Sequence, residues 1–152
     1  MHNIIFLDID GVLNTARCSF DRDAVANLCK ITDETEADIV ISSSWKLYGL
    51  DFVKSIWKEK NLPGQVIGLT PNTQSDQLLA GASPEELDNL PFKGYEIKEW
   101  LANNGQKVKN YIIIDDENRF LPDQQSHFVQ TDPEKGISID DAEKAIRILA
   151  AD

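Results

Sequence analysis

The sequence predicts an α/β protein, a three-layer α/β/α sandwich built on a mainly parallel sheet, and three observations carry that prediction. Ile4-Ile5-Phe6-Leu7 and Tyr111-Ile112-Ile113-Ile114 are continuous apolar runs of the kind a parallel sheet buries on both faces. Segments of helical periodicity lie between the strand candidates, as crossover connections require. Several strand candidates end in acids or hydroxyls, so parallel packing gathers those groups at one edge of the sheet.

In chain order, the first strand is expected over residues 4–8. Asp21 is suited to cap a helix whose Ala24, Leu28 and Ile31 share one face, and residues 38–42 form the second strand. A helix over 51–60 places Phe52, Ile56 and Trp57 together, and a short strand follows at 65–68. The interval 69–92, rich in Pro, Gly, Ser and Asn, has no clear period, although Ser83-Pro84-Glu85-Glu86-Leu87 can start a helical turn. It reads either as a surface loop or as a lid beside the site. A helix then runs over 95–103 and stops at Asn104-Gly105. Strands follow at 111–115 and 127–130. The last helix starts near Ser138, with Asp141 placed for a capping box, and buries Ala142, Ala145, Ile146 and Leu149.

At 152 residues the chain is long enough for one domain with a real core, so residues 1–152 are expected to form a single unit. Its 26 acidic and 15 basic residues give a net charge of −11, which argues against an extended nucleic-acid footprint but not against a small phosphate-bearing substrate. No apolar run is long enough to cross a bilayer, and Asp8 interrupts the N-terminal run before it can act as a signal-peptide core. A cytoplasmic protein, with no membrane partner, is expected. Cys18 and Cys29 are too few for a disulfide scaffold and read as reduced thiols.

The chemistry-bearing residues fall at the ends of these elements. Asp8 and Asp10 follow the first apolar strand and meet the turn-forming Gly11, where an unneutralised pair would be costly to bury. Ile39-Val40-Ile41 leads into Ser42-Ser43-Ser44, whose hydroxyls, with the backbone N–H groups of the next turn, can hold phosphate oxygens; one of them can equally serve as an N-cap. Lys93 precedes a helix, and Asp115-Asp116 end the most apolar strand, where adjacent acids repel each other unless a cation lies near. Trp45, Trp57 and Trp100 read as core, with stacking on a base an alternative for Trp45. His127 reads as a buried or edge histidine rather than a base, and His2 is terminal. Asn14, Arg17, Lys46 and Arg119 read either as crevice-lining residues or as ordinary surface residues. The loop from Thr131-Asp132-Pro133 to Gly136 falls at the same edge with no role assigned.

The string Phe6-Leu7-Asp8-Ile9-Asp10-Gly11-Val12-Leu13-Asn14 resembles the first motif of the haloacid dehalogenase (HAD) superfamily, D-x-D-G-[TV]-[LV], whose members are mostly magnesium-dependent phosphohydrolases on a Rossmann-like fold. Ser42, Lys93 and Asp115-Asp116 match the later motifs in the same order. The strings Ile-Ser-Ser-Ser-Trp, Lys-Gly-Tyr-Glu-Ile and Ile-Asp-Asp-Glu look most like the small HAD domains of RNA-repair proteins, which lack a large cap. The resemblance implies Asp8 as nucleophile forming an aspartyl-phosphate, and Asp10 as general acid and base. It also implies Ser42, with Ser43 as neighbour, and Lys93 on the phosphoryl group. Mg²⁺ would be held by Asp8, the backbone carbonyl of Asp10, and Asp116 with Asp115 as its partner, the last two roles being exchangeable. The implied substrate is a phosphorylated small molecule or a phosphorylated macromolecular end. A phospho-ligand-binding or regulatory module on the same fold, and a phosphotransferase, are the alternatives.

Overall fold

The computed structural model describes residues 1–16, 18–72, 83 and 90–151. Five strands form one all-parallel sheet in the order β3-β2-β1-β4-β5, where β1 is His2–Leu7, β2 Asp38–Ile41, β3 Val66–Leu69, β4 Val108–Asp115 and β5 Phe128–Gln130. Among the described residues the α-helices are α1 (Arg22–Thr35), α2 (Leu50–Glu59), α3 (Phe92–Asn104) and α4 (Ile139–Ala150).

The apolar strands are continuous because both faces of the sheet are covered. Ile5, Leu7, Ile39, Ile41, Ile112 and Ile114 join Leu28 and Ile31 of α1, Val53 and Trp57 of α2, and Ala142, Ala145 and Leu149 of α4 in one core cluster. The alternate residues Ile4, Phe6, Val40 and Ile113 pack on the other face with Ile97 of α3, Phe120 and Phe128. Helices on both faces give the predicted three-layer, Rossmann-like arrangement.

This strand order positions the site. From β1 the chain first builds outward through β2 to β3, and then β4 adds on the other side of β1. The reversal leaves a crevice beyond the carboxyl ends of β1 and β4, the place where open α/β sheets bind ligands. The ladder runs one residue past the strand ends, since the Asp8 N–H donates to the Ile114 carbonyl and the Ser42 N–H to that of Leu7, both at 3.0 Å. The groups that follow are thereby fixed to the sheet.

Several expected boundaries shift. The first strand begins at His2, the fourth at Val108, and β5 at Phe128, because His127 belongs to a 3-10 turn spanning Pro122–His127. In α2 the buried face is Val53 and Trp57, whereas Phe52 is exposed; the Trp57 indole N–H, tied to the Pro63 carbonyl at 2.9 Å, fixes that rotation. The third helix starts at Phe92, so Lys93 lies in its first turn rather than before it. Asp21 caps α1 through the N–H groups of Asp23 and Ala24, and Ser138 with Asp141 forms the expected capping box. Ala142, Ala145 and Leu149 are buried, while Ile146 is only partly so. Arg17 and most of the 69–92 segment, including the turn expected from Pro84 onward, lie outside the described residues. Among the described residues, no helix is long and apolar enough to cross a membrane.

Candidate active site

Asp8 and Asp115 leave the carboxyl ends of neighbouring strands and are buried, and Asp116 follows half-buried at the rim. One carboxylate oxygen from each lies within 4.8 Å of the others. Lys93 reaches in from α3, its Nζ 2.6 Å from Asp115 Oδ2 and 3.5 Å from Asp8 Oδ2. An ammonium in the first turn of a helix opposes the helix dipole, so the carboxylates, not α3, account for its position. Asp115 is fully enclosed and also accepts the Glu117 N–H at 3.0 Å. Its two bonds orient it between lysine and loop.

Gly94, the next residue, lets α3 come this close. A Cβ there would lie 2.7 Å from Gln124 Oε1 and 2.9 Å from the Leu121 nitrogen. Gln124, itself buried, bonds the Gly94 carbonyl through Nε2.

Gly11 makes the turn after the first strand at φ +82°, and a Cβ on it would sit 2.5 Å from both Cγ and Oδ2 of Asp116. Glycine is required here both by backbone conformation and by the approach of a carboxylate. The loop with no assigned role braces this turn: Thr131 Oγ1 donates to the Gly11 carbonyl at 2.7 Å, and Gly136 packs against the Val12 carbonyl. Gly11→Ala is expected to destabilise the protein by about 1–3 kcal/mol and to push Asp116 out of the cluster. Thermal unfolding with and without divalent cation checks this, the variant losing much of any metal-induced rise in Tm.

Asp10 does not enter the carboxylate trio. Its side chain is exposed and held by two N–H donors, Asn14 Nδ2 to Oδ1 at 3.0 Å and Trp45 Nε1 to Oδ2 at 3.3 Å. Trp45 is therefore no simple core residue, although Trp57 is. The two serines divide their roles. Ser43 caps the 3-10 turn Ser44–Tyr48 by accepting the Trp45 N–H, whereas the Ser42 hydroxyl is buried without a hydrogen-bond partner among the described residues. A buried polar group left unmatched beside a crevice is the kind of donor that a ligand oxygen satisfies.

One pair escaped the sequence reading. Lys46 Nζ, nearly enclosed, contacts Glu96 Oε2 at 2.6 Å, Thr70 Oγ1 at 3.3 Å and the Pro71 carbonyl at 3.2 Å. Glu96 lies one turn after Lys93, so this pair ties the serine turn to the helix that carries Lys93. The partners are 50 residues apart, and no local pattern announces them. Arg119 and Lys98 are exposed, and Arg119 pairs with Glu117 at 3.0 Å. His127 stacks on Tyr111 at 3.9 Å, with Nδ1 at the Tyr111 carbonyl, away from the acids.

The electrostatics follow from packing acids this closely. Burial, then the charge of Asp115, pushes the Asp8 carboxyl up to about 8, against the pull of Lys93 and the Ile9 N–H. Burial and the neighbouring Asp115 also raise Asp116. Burial works against the Lys93 ammonium, but Asp115 and Asp8 outweigh it and its pKa rises. Among the described residues, one lysine thus under-neutralises three carboxylates. An all-oxygen donor set with surplus negative charge suits a hard divalent cation, so the trio fits a metal.

A parallel α/β sheet with clustered aspartates, a lysine and an unmatched serine hydroxyl at its switch point defines the class, the HAD-type fold associated with phosphohydrolases. The chain belongs to the family described as the HAD domain in Swiss Army Knife RNA repair proteins, whose model matches residues 4–142. No match was found among curated proteins or among solved structures.

Proposed function

We propose that this protein is a cytoplasmic, Mg²⁺-dependent phosphomonoesterase that works through an aspartyl-phosphate on Asp8. The observation that carries this reading is the convergence of Asp8, Asp115, Asp116 and Lys93 at the sheet's switch point. Asp8, the backbone carbonyl of Asp10 and Asp116, with Asp115 beside them, would hold Mg²⁺, which when bound offsets negative charge between the nucleophile and the phosphoryl oxygens.

An Asp8 carboxylate oxygen attacks phosphorus, and the bond to the leaving oxygen breaks as that oxygen takes a proton from Asp10. Asp10 then takes a proton from water, whose oxygen attacks the phosphorus of the acyl phosphate and releases inorganic phosphate with Asp8 restored. Trp45 and Asn14 hold the Asp10 carboxyl for both proton transfers. The Ser42 hydroxyl donates to a phosphoryl oxygen, and Lys93 places its charge beside the nucleophile and the transferred group.

Phosphate release from p-nitrophenyl phosphate, nucleotides, sugar phosphates and phosphorylated oligonucleotide ends, with Mg²⁺ and with EDTA, tests the reading. Magnesium-dependent release is expected; a folded protein that releases no phosphate from any of them refutes it, and phosphate passed to an added acceptor instead of water marks a transferase. Asp10→Asn is expected to lower kcat on alkyl phosphates by roughly 10²–10⁴-fold. The loss should be smaller on p-nitrophenyl phosphate, whose leaving group departs as a stable anion.

A further inference from the structure

We propose that Trp45, Leu47, Tyr48 and Phe52 form a leaving-group subsite that takes a planar aromatic ring, such as a nucleobase, on the substrate. This deepens the phosphomonoesterase reading and rests on it. The observation is a cavity of about 690 Å³ lined by Asp10, Ser44, Trp45, Leu47, Tyr48 and Phe52. Its volume lies in the range of small-molecule pockets. Asp10, the residue that protonates the leaving oxygen in the proposed chemistry, forms part of its wall, so the leaving group lies on this side.

The shelf is apolar where the fold does not need it to be. Leu47, Tyr48 and Phe52 are 70%, 69% and 41% exposed, and they are half of the six exposed large hydrophobic residues described. The core contacts of α2 are made by the buried Val53 and Trp57 with Leu50 packed beside them, which leaves Phe52 free of that duty. A contiguous exposed apolar patch beside a site marks a binding surface.

Local geometry builds it. In the 3-10 turn, residues three apart eclipse, which puts Trp45 and Tyr48 on one side. Gly49 then breaks the turn at φ +94° and starts α2, bringing Phe52 to Tyr48 with ring centroids 5.0 Å apart. Trp45 is fixed by its bond to Asp10 and by an edge contact with Phe20 at 5.9 Å, so its ring is a set wall. Among the described residues, Asp10 is the only charged one lining the cavity. The surface therefore suits an uncharged ring, with the phosphate held elsewhere by Ser42 and Lys93, and it disfavours a second phosphate or a bare sugar.

The test compares wild type with the double variant Tyr48→Ser and Phe52→Ser. Substrates are a nucleoside 5′-monophosphate, phenyl phosphate and ribose 5-phosphate, read as ratios of kcat/KM. The ratio of ring-bearing to ringless substrate is expected to fall by roughly 5- to 100-fold, as the loss of base–aromatic stacking predicts. A fall for the nucleotide alone assigns the shelf to a base, and a fall for both assigns it to any arene. An unchanged ratio, or a double variant that turns a wild-type dimer into a monomer, overturns the proposal. Binding of the same compounds to Asp8→Asn protein, followed by calorimetry, separates the two readings. If ring-selective binding is lost in the double variant while no protein turns over substrate, the hydrolase reading fails and the subsite stands.

Discussion

Asp8→Asn is expected to abolish phosphate release, by roughly 10⁴–10⁶-fold, because on the proposed mechanism it removes the covalent nucleophile and leaves only binding and charge stabilisation to accelerate the reaction. The same substitution is expected to stabilise the metal-free protein at pH 8. Burial and Asp115 raise the Asp8 carboxyl to about 8 in the folded state, above its ordinary value of 3.8. A carboxyl raised on folding binds its proton more tightly in the native state, so its ionised form opposes folding. That cost is fully present above about pH 8 and gone below about pH 4. Asparagine has nearly the same shape and no charge, and it leaves the Lys93 pair with Asp115 in place. Thermal unfolding in EDTA should thus show a higher Tm for the variant at pH 8 and convergence with wild type near pH 4. A variant that keeps more than about one hundredth of the activity, or that unfolds more easily at pH 8, contradicts the assignment of Asp8.

The parts of the site visible in the sequence are those that a strand end fixes. Asp8, Ser42 and Asp115 each follow a fully buried run, and a residue just past a central strand has few places to point. The ladder bonds from Asp8 to Ile114 and from Ser42 to Leu7 show that constraint directly. Lys93 was placeable from its position before β4, yet its approach depends on Gly94 packing against Phe120, Leu121 and Gln124, a contact between segments 26 or more residues apart. The Lys46–Glu96 pair has no local signal at all. Trp45 looked like core because an indole among apolar neighbours reads the same whether its N–H faces solvent, carbonyl or carboxylate. On α2 Trp57 is buried as expected, but Val53 takes the buried place expected of Phe52, about 100° away around the helix, because both are apolar and only packing around Trp57 selects between them. The resulting exposure of Phe52 is the feature on which the aromatic shelf rests.

Lys93→Met is expected to give the largest loss of stability among single substitutions at the site, about 3 kcal/mol for the metal-free protein at pH 8, since removing one partner of a buried ion pair strands the other charge. For a chain of this length that corresponds to a fall in Tm of roughly 6–12 °C. Asp115, fully enclosed, loses its 2.6 Å partner, and Asp8 loses the main charge that holds its carboxyl down. Losing that charge raises the Asp8 carboxyl further, so the folded variant takes up a proton there more readily than its unfolded chain. The sign follows: stability lost at pH 8 returns as pH falls and the cluster protonates. Mg²⁺ is expected to act in the same direction at high pH, by neutralising the carboxylates where protons no longer do, and saturation at about 100 times Kd would add about 2.7 kcal/mol. The rise in Tm on adding Mg²⁺ should therefore grow from pH 5 to pH 8 in wild type as well, because the cation must displace protons at the lower value. If Lys93→Met unfolds at the wild-type temperature across this range, or Mg²⁺ raises Tm no more at pH 8 than at pH 5, then the trio is neither under-neutralised nor a cation site.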